Sequence, residues 1–232
     1  MQAVFQRLHR HLGTSRGEPL SKVVLHFLGS QDVVAACRAA LEWATVGGKR
    51  ICMRLDDHRG PPYAPLDRLC LRFVDHLRLG RDGREGGVEE HAKLILACRR
   101  ATMLLCNYCS LMGISQCMDF GPGISVCLGL RWVRFRQCRL EIPDVAQVLR
   151  SSPRLEKAVF INEQLLGLGE ELPDCPALLS VEFTDCGLSA ADASAVLKHY
   201  PLLRSAHFQA MDLAGLRAPR LPAMKQLRLL DC

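Results

Sequence analysis

The chain has 232 residues, of which 49% are hydrophobic, 23% charged and 6% aromatic. These values are ordinary for globular proteins and exclude a disordered or collagen-like polymer, and the lack of 18 uninterrupted apolar residues argues against a membrane span. The net charge is +6, and its whole excess lies early: residues 1–100 hold 17 Lys and Arg against 11 Asp and Glu, whereas the rest hold 13 of each. Twelve cysteines without a secretory signal predict free thiols in an intracellular protein, cytoplasmic or nuclear.

The first 17 residues form a basic segment with an amphipathic pattern. Arg7, Arg10 and Arg16 occur before the first acid, Glu18. A helix here would place four apolar residues on one face: Val4, Phe5, Leu8 and Leu12. This pattern is typical of a mitochondrial presequence, and it also fits a first helix that packs on the rest of the protein.

Residues 18–60 are predicted to form short helices, with a break near Gly29 and a second helix starting near Asp32. The spacings from Leu28 to Asp32 and from Asp32 to Trp43 resemble those of the F-box family. The residues that carry this resemblance are Pro19, Leu25, Phe27, Leu28, Asp32, Val33 and Trp43. It implies that residues 19–45 engage the linker subunit of a cullin-type ubiquitin ligase. A plain helical cap over the following domain explains the same apolar positions.

A proline-rich stretch, RGPPYAPL, marks the boundary to a region of repeats at residues 61–232. Two weaker copies are predicted at its start, one from residue 66 and one from residue 103. Their apolar positions are Leu66, Leu69, Leu71 and Val74, and then Met103, Cys106, Tyr108 and Leu111. The segment VEEHAKLILACRR predicts a helix between them, and LGRDGREGG at residues 79–87 is a surface insertion.

The repeat is clear from residue 128 on, where the template L-x-x-L-x-L-x-x-C-x-L fits five units, any apolar residue being allowed at L. The units start at residues 130, 155, 178, 203 and 224, which are 25, 23, 25 and 21 residues apart. A proline lies two residues before each of the last four starts: Pro153, Pro176, Pro201 and Pro222. Proline there ends a helix and favours extended backbone at the entry to a strand.

The segments PDVAQVLRSS and SAADASAVLKHY predict helices between the strands, the second capped by Ser189 with Asp192 three residues on. The sequence thus resembles the leucine-rich repeat family, closest to its cysteine-containing and ribonuclease-inhibitor-like classes. This resemblance implies an α/β solenoid with a parallel concave sheet, convex helices and a short helical N-terminal cap. We expect Val133, Phe160, Phe183 and Phe208 to form a common interior row.

The sequence offers no convincing catalytic or metal site, so we expect no enzyme activity and no cofactor. One C-x-x-C occurs in a cysteine cluster, but the second pair of a zinc site is missing. The cluster consists of Cys106, Cys109, Cys117 and Cys127. Neither a G-x-S-x-G elbow nor a Walker motif is present, and the charge distribution makes nucleic acid an unfavoured ligand.

The remaining candidate is the surface formed by alternate strand residues, which point away from the core. The expected partner-binding residues are Trp132, Arg134, Arg136, Lys157, Val159, Ile161, Glu182, Thr184, His207, Gln209, Arg228 and Leu230. Tryptophan and arginine are typical of protein-interface hot spots. A second contact is expected at the C-terminal edge, because Cys232 ends the sequence within the strand of its unit.

The predicted function is non-catalytic protein recognition, as a substrate-recognition adaptor of the F-box and leucine-rich repeat type. The alternative is a mitochondrial leucine-rich-repeat subunit or assembly factor of a large complex, which follows if residues 1–17 are an import signal.

Overall fold

The computed structural model describes residues 22–26, 50–55, 74–80, 88–98, 100–117 and 129–232. Nine strands lie in this part of the chain: β1 Lys22–His26, β2 Arg50–Leu55, β3 Val74–Leu79, β4 Met103–Asn107, β5 Trp132–Arg136, β6 Lys157–Ile161, β7 Ser180–Thr184, β8 Ser205–Gln209 and β9 Gln226–Leu230. The α-helices are α1 Val88–Ala97, α2 Ile114–Cys117, α3 Ile142–Arg150 and α4 Ala190–His199. None of the helices in the described residues is long and apolar enough to cross a membrane.

The nine strands form one sheet in which every neighbouring pair is parallel and the spatial order follows the chain order. From β4 to β9 the register is constant, so that Met103, Trp132 and Lys157 are direct neighbours across three strands. Parallel neighbours need a crossover connection, which the helices between β3 and β4, β5 and β6, and β7 and β8 supply. The α/β class predicted from the sequence is confirmed.

The core lies on the side of the sheet that the helices cover, and it contains a row of stacked phenylalanines. The row runs through Phe135, Phe160, Phe183 and Phe208, whose successive ring centroids are 5.9, 5.4 and 5.8 Å apart. Val133 belongs to the adjacent row, with Ala158, Val181 and Ala206, so its predicted place beside the phenylalanines was wrong. The two rows are two residues apart along each strand, and both point inward because side chains alternate between faces.

Strands replace predicted helices in the N-terminal region. Lys22–His26 and Arg50–Leu55 are β1 and β2, which pair with each other in the sheet. The segment KVVLH contains two adjacent valines, and β-branched residues favour extended backbone over helix. The rest of the predicted helical region 18–60, and all of residues 1–17, lie outside the described residues.

The two upstream units start at different residues from those predicted. β4 is aligned so that Ala101 corresponds to Leu130, and the inward positions are then Leu104 and Cys106 instead of Met103 and Tyr108. β3 is aligned so that its unit starts at Val74 instead of Leu66. The prediction for β4 treated Tyr108, which is 44% exposed, as a core residue, and this shifted the template along the chain. Leu66, Leu69 and Leu71 lie outside the described residues.

Only some units contain an α-helix. α1, α3 and α4 fall where the sequence predicted helices. Between β6 and β7 there is instead a 3₁₀ turn at Leu168–Glu170, and between β8 and β9 the chain forms turns without a helix. Gly167, with φ of +92°, and the nearby prolines do not support a full helix, so these two connections lack the convex helix that the leucine-rich-repeat resemblance implies.

Each strand from β4 to β9 is followed by a residue with left-handed backbone, at φ between +51° and +59°. These residues are Tyr108, Gln137, Asn162, Asp185, Ala210 and Asp231. The amide N–H of the first five donates to the last carbonyl of the next strand at 2.8 to 2.9 Å. The turn therefore continues the hydrogen bonding of the sheet one residue beyond the strands.

Glu163 occupies the cysteine position of its unit and is buried, at 1% exposure. Its carboxylate accepts the N–H of Cys138 at 2.6 Å and that of Leu140 at 2.9 Å. Burial raises the pKa of Glu163, and the hydrogen bonds from the two amides oppose that shift. This glutamate thus bonds two neighbouring units through groups that would otherwise be buried and unpaired.

Two buried aspartates join helices to the preceding unit in the same way. Asp192 accepts N–H groups from Gly167 and Gly169 at 3.1 and 2.9 Å while it also bonds the Ser189 cap of α4. Asp144 of α3 accepts from Gly113 and Ser115 at 3.0 and 2.9 Å. The capping box predicted from Ser189 and Asp192 is confirmed.

Candidate interaction surface

The outer face of the sheet, opposite the helices, carries three rows of side chains in constant register from β4 to β9. The row through Trp132 contains Lys157, the row through Arg134 contains Val159, Glu182, His207 and Arg228, and the row through Arg136 contains Ile161, Thr184, Gln209 and Leu230. All twelve residues expected at outward positions therefore lie on one face.

The twelve residues differ in how much surface they offer. Arg136, Arg228 and Leu230 are exposed, and most of the others are half-buried. Val159 is only 3% exposed, so it offers a partner almost no area and does not belong in the binding set. Its neighbours across the strands are the longer side chains of Arg134 and Glu182.

Five residues on or directly after β4, β5 and β6 form what we call the basic-aromatic cluster: Tyr108, Trp132, Arg134, Arg136 and Lys157. The Lys157 ammonium lies 5.4 Å from the centroid of the Trp132 ring, and the Arg136 guanidinium lies 5.3 Å from that of Tyr108. Such cation–π contacts orient long side chains without neutralising their charge. The cluster thus carries three positive charges, two of which are held in place by aromatic rings.

The three cations of this cluster have no carboxylate partner among the described residues. The neighbouring Arg131, by contrast, pairs with Glu156 at 3.1 Å. The nearest acid on the row of Arg134 is Glu182, two strands away. Two donors are also buried without an acceptor, the indole Nε1 of Trp132 and the Nε of Arg134. Unpartnered donors of this kind are uncommon in folded proteins.

Sequence reasoning missed three outward residues of β4: Met103, Leu105 and Asn107, which neighbour Trp132, Arg134 and Arg136. It also missed Tyr108, which is 44% exposed and was expected in the core. The signal was present, because Ala101, Leu104, Cys106, Cys109 and Leu111 fit the complete template. These residues are all buried.

One of the seven residues that resemble an F-box lies in the described part of the chain. Pro19, Phe27, Leu28, Asp32, Val33 and Trp43 lie outside the described residues. Leu25 lies on β1, where it is the register partner of Met53. At the opposite end of the sheet, β9 pairs with β8 alone, and its inward residues Leu227 and Leu229 are 38% and 44% exposed.

Six of the eight cysteines whose burial is described are buried, whereas Cys117 is half-buried and Cys232 is exposed. Burial raises the pKa of Cys138 to about 12, helped by the nearby Glu163 charge, and burial raises those of Cys175 and Cys186 to about 11. Thiols with such pKa values are poor nucleophiles at neutral pH. Among the described residues no three His, Cys, Asp or Glu side chains are placed to hold a metal ion, and Cys127 lies outside them.

No protein-family model matches the chain, and neither the curated proteins nor the solved structures give a significant match.

Proposed function

We propose that the chain is a leucine-rich-repeat solenoid that binds another protein through the outer face of its sheet and performs no chemistry itself. The observation that carries this proposal is the constant register of the strands from β4 to β9. Constant register brings aromatic, basic and aliphatic side chains from six strands onto one face, the composition that interface hot spots favour.

The bonding between units supports the repeat assignment. Three features recur at the same position of successive units. They are the left-handed residue after each strand, the buried side chain at the cysteine position, and the aspartates Asp144 and Asp192, which accept N–H groups from the preceding unit. A binding face on such a scaffold is ordered before the partner arrives, which lowers the entropic cost of association.

The adaptor role in a cullin-type ubiquitin ligase has weaker support. It rests on residues 19–45, whose resemblance to an F-box implies helices, whereas Lys22–His26 forms a strand. We therefore propose protein recognition in general. A mitochondrial subunit or assembly factor remains the second candidate, favoured by the three arginines that precede the first acid of the chain.

Affinity capture with the tagged full chain tests the recognition function. The variant Trp132→Ala/Arg136→Glu removes one anchor of the outer face and reverses the charge of another. We expect quantitative mass spectrometry to show at least about a tenfold loss of the captured partner, since truncation of a hot-spot residue costs about 2 kcal/mol or more, a factor of about 30.

The matched control is Leu166→Ala/Arg154→Glu, which makes similar changes at two exposed residues off the outer face. It should capture the partner as the wild type does, and far-UV circular dichroism should be the same for all three proteins. Equal capture by both double variants would show that the outer face is not the binding site. Cullin-ligase or mitochondrial-complex subunits in the captured set would distinguish the two cellular roles.

A further inference from the structure

The basic-aromatic cluster has a regular spacing along the direction of the strands. Lys157 lies in the row of Trp132, Arg134 in the next row and Arg136 in the third. Successive rows are two residues apart, which is about 6.6 Å in an extended strand. Three positive charges are therefore spread over about 13 Å, at the repeat distance of alternate residues in any extended peptide.

The protein does not neutralise these charges itself, because neither Arg134, Arg136 nor Lys157 has an ion pair among the described residues. Apolar side chains lie beside them: Leu105 on β4 and Ile161 on β6 are half-buried neighbours of Arg134 and Arg136. A complementary extended ligand would thus carry an anionic side chain at every second residue, the spacing of side chains on one face of a strand. Charges this far apart suit several single carboxylates better than one compact dianion.

The same geometry disfavours single-stranded nucleic acid. Base stacking needs free aromatic faces, but Lys157 lies over the ring of Trp132 and Arg136 over that of Tyr108.

From this placement we propose that the basic-aromatic cluster binds an extended acidic segment of a partner protein, with Asp or Glu at alternate positions. The proposal rests on the proposed recognition function and names the chemistry of the partner. The carboxylates lie on one face of such a segment and would pair with Lys157, Arg134 and Arg136, whereas the residues between them would point away from the sheet.

The test is fluorescence anisotropy with the full chain and a labelled peptide, SDLDLDLS. We expect the peptide to bind, and the peptide SNLNLNLS, which has the same shape without the charges, to bind at least about tenfold more weakly at 50 mM salt. Raising the salt to 200 mM should weaken only the first peptide. At 50 mM salt, Arg136→Glu and Lys157→Glu should each bind the acidic peptide about tenfold more weakly than the wild type does. Arg136→Lys and the off-face control Arg154→Glu should bind it within about twofold of the wild type.

Several results would overturn the proposal: equal affinity for the two peptides, no binding of the acidic peptide at 1 mM, or equal binding by Arg136→Glu and Arg154→Glu. Tighter binding of a matched phosphoserine peptide would assign the cluster to phosphorylated segments, and tighter binding of an eight-nucleotide single-stranded RNA would assign it to RNA. If the partner is still captured through Trp132 and Arg136 while the acidic peptide fails to bind, the recognition function stands and only the acidic segment is wrong. If capture does not depend on these residues, the recognition function fails as well.

Discussion

At the scale of single residues, the turns after the strands show that one backbone geometry is occupied by very different side chains. Asn162 and Asp185 adopt left-handed backbone readily because their short polar groups tolerate it. Gln137 and Ala210 have the same geometry without that advantage, at φ of +51° and +56°. Their Cβ atoms crowd the following carbonyl, so these two positions store strain in the folded state.

We expect Ala210→Gly to raise the free energy of unfolding by about 0.5–1 kcal/mol, because removal of the Cβ relieves this strain by more than glycine adds to the entropy of the unfolded chain. Urea denaturation followed by circular dichroism measures the change. Ala214→Gly is the matched control at an exposed alanine with ordinary φ, and it should lower stability by about the same amount. Changes of the same sign in both variants would contradict the strain at Ala210.

At the scale of secondary-structure elements, α3 and α4 are joined to the connections of the preceding units through their first turns. The Asp192 carboxylate accepts from Ser189 of its own helix and from Gly167 and Gly169 of the preceding unit. Burial acts to raise its pKa, but these hydrogen bonds outweigh that effect and hold the pKa below its ordinary value. The ionised form is therefore the one that stabilises the junction between the units.

Asp192→Ala should lower the free energy of unfolding by about 1–3 kcal/mol at pH 7, since it removes a cap and leaves buried amides unpaired. Because the folded pKa is lowered, this contribution is complete above the ordinary value of 3.8 and is lost as the pH falls through the folded pKa. The stability difference between wild type and variant, measured in urea from pH 7 to pH 2, should therefore shrink at the acid end.

Asp174→Ala provides the comparison, because that carboxylate is fully exposed. It should change stability by no more than about 0.5 kcal/mol at any pH. A difference for Asp192→Ala that stays constant down to pH 2 would mean that its charge contributes nothing.

At the scale of the whole molecule, each strand pairs only with its neighbours, so stability depends on junctions repeated along the sheet. The phenylalanine row crosses three of these junctions, and Phe160 stacks on both Phe135 and Phe183. Removal of this ring leaves a cavity between two units at once.

Phe160→Ala should lower the free energy of unfolding by about 3–5 kcal/mol, as expected for a large buried ring. Leu166→Ala, at a side chain that is 67% exposed, should change it by less than about 0.5 kcal/mol. Chemical denaturation of both variants measures the effect, and a loss below 1 kcal/mol for Phe160→Ala would be incompatible with a shared core.

The sequence alone predicted the sheet best where two independent markers coincide. From residue 130 on, the apolar template and the prolines share one phase, and both strand positions and outward residues followed from it. The start of the unit that contains β4 was missed because Ala101, at its first apolar position, has a small and weakly apolar side chain. The strand at Lys22–His26 was missed because a short run of adjacent apolar residues fits helix and strand equally.

The sequence predicted which residues lie on the interaction surface, but it did not predict their exposure or their contacts. Alternation along the strands placed Trp132 and Arg136 on one face, yet it did not show that Val159 is covered or that Tyr108 and Arg136 are in contact. Both depend on neighbours from other units, and the pattern within one strand carries no information about them.

The constant register has a consequence for how this surface could diversify. Since every strand from β4 to β9 presents its three outward side chains at matching heights, the triplet Trp132, Arg134 and Arg136 could be exchanged with Ser205, His207 and Gln209 without altering any inward residue. The outward residues of a strand therefore determine ligand preference while its inward residues determine stability. A new specificity can evolve by exchange of outward triplets between strands, without loss of the fold.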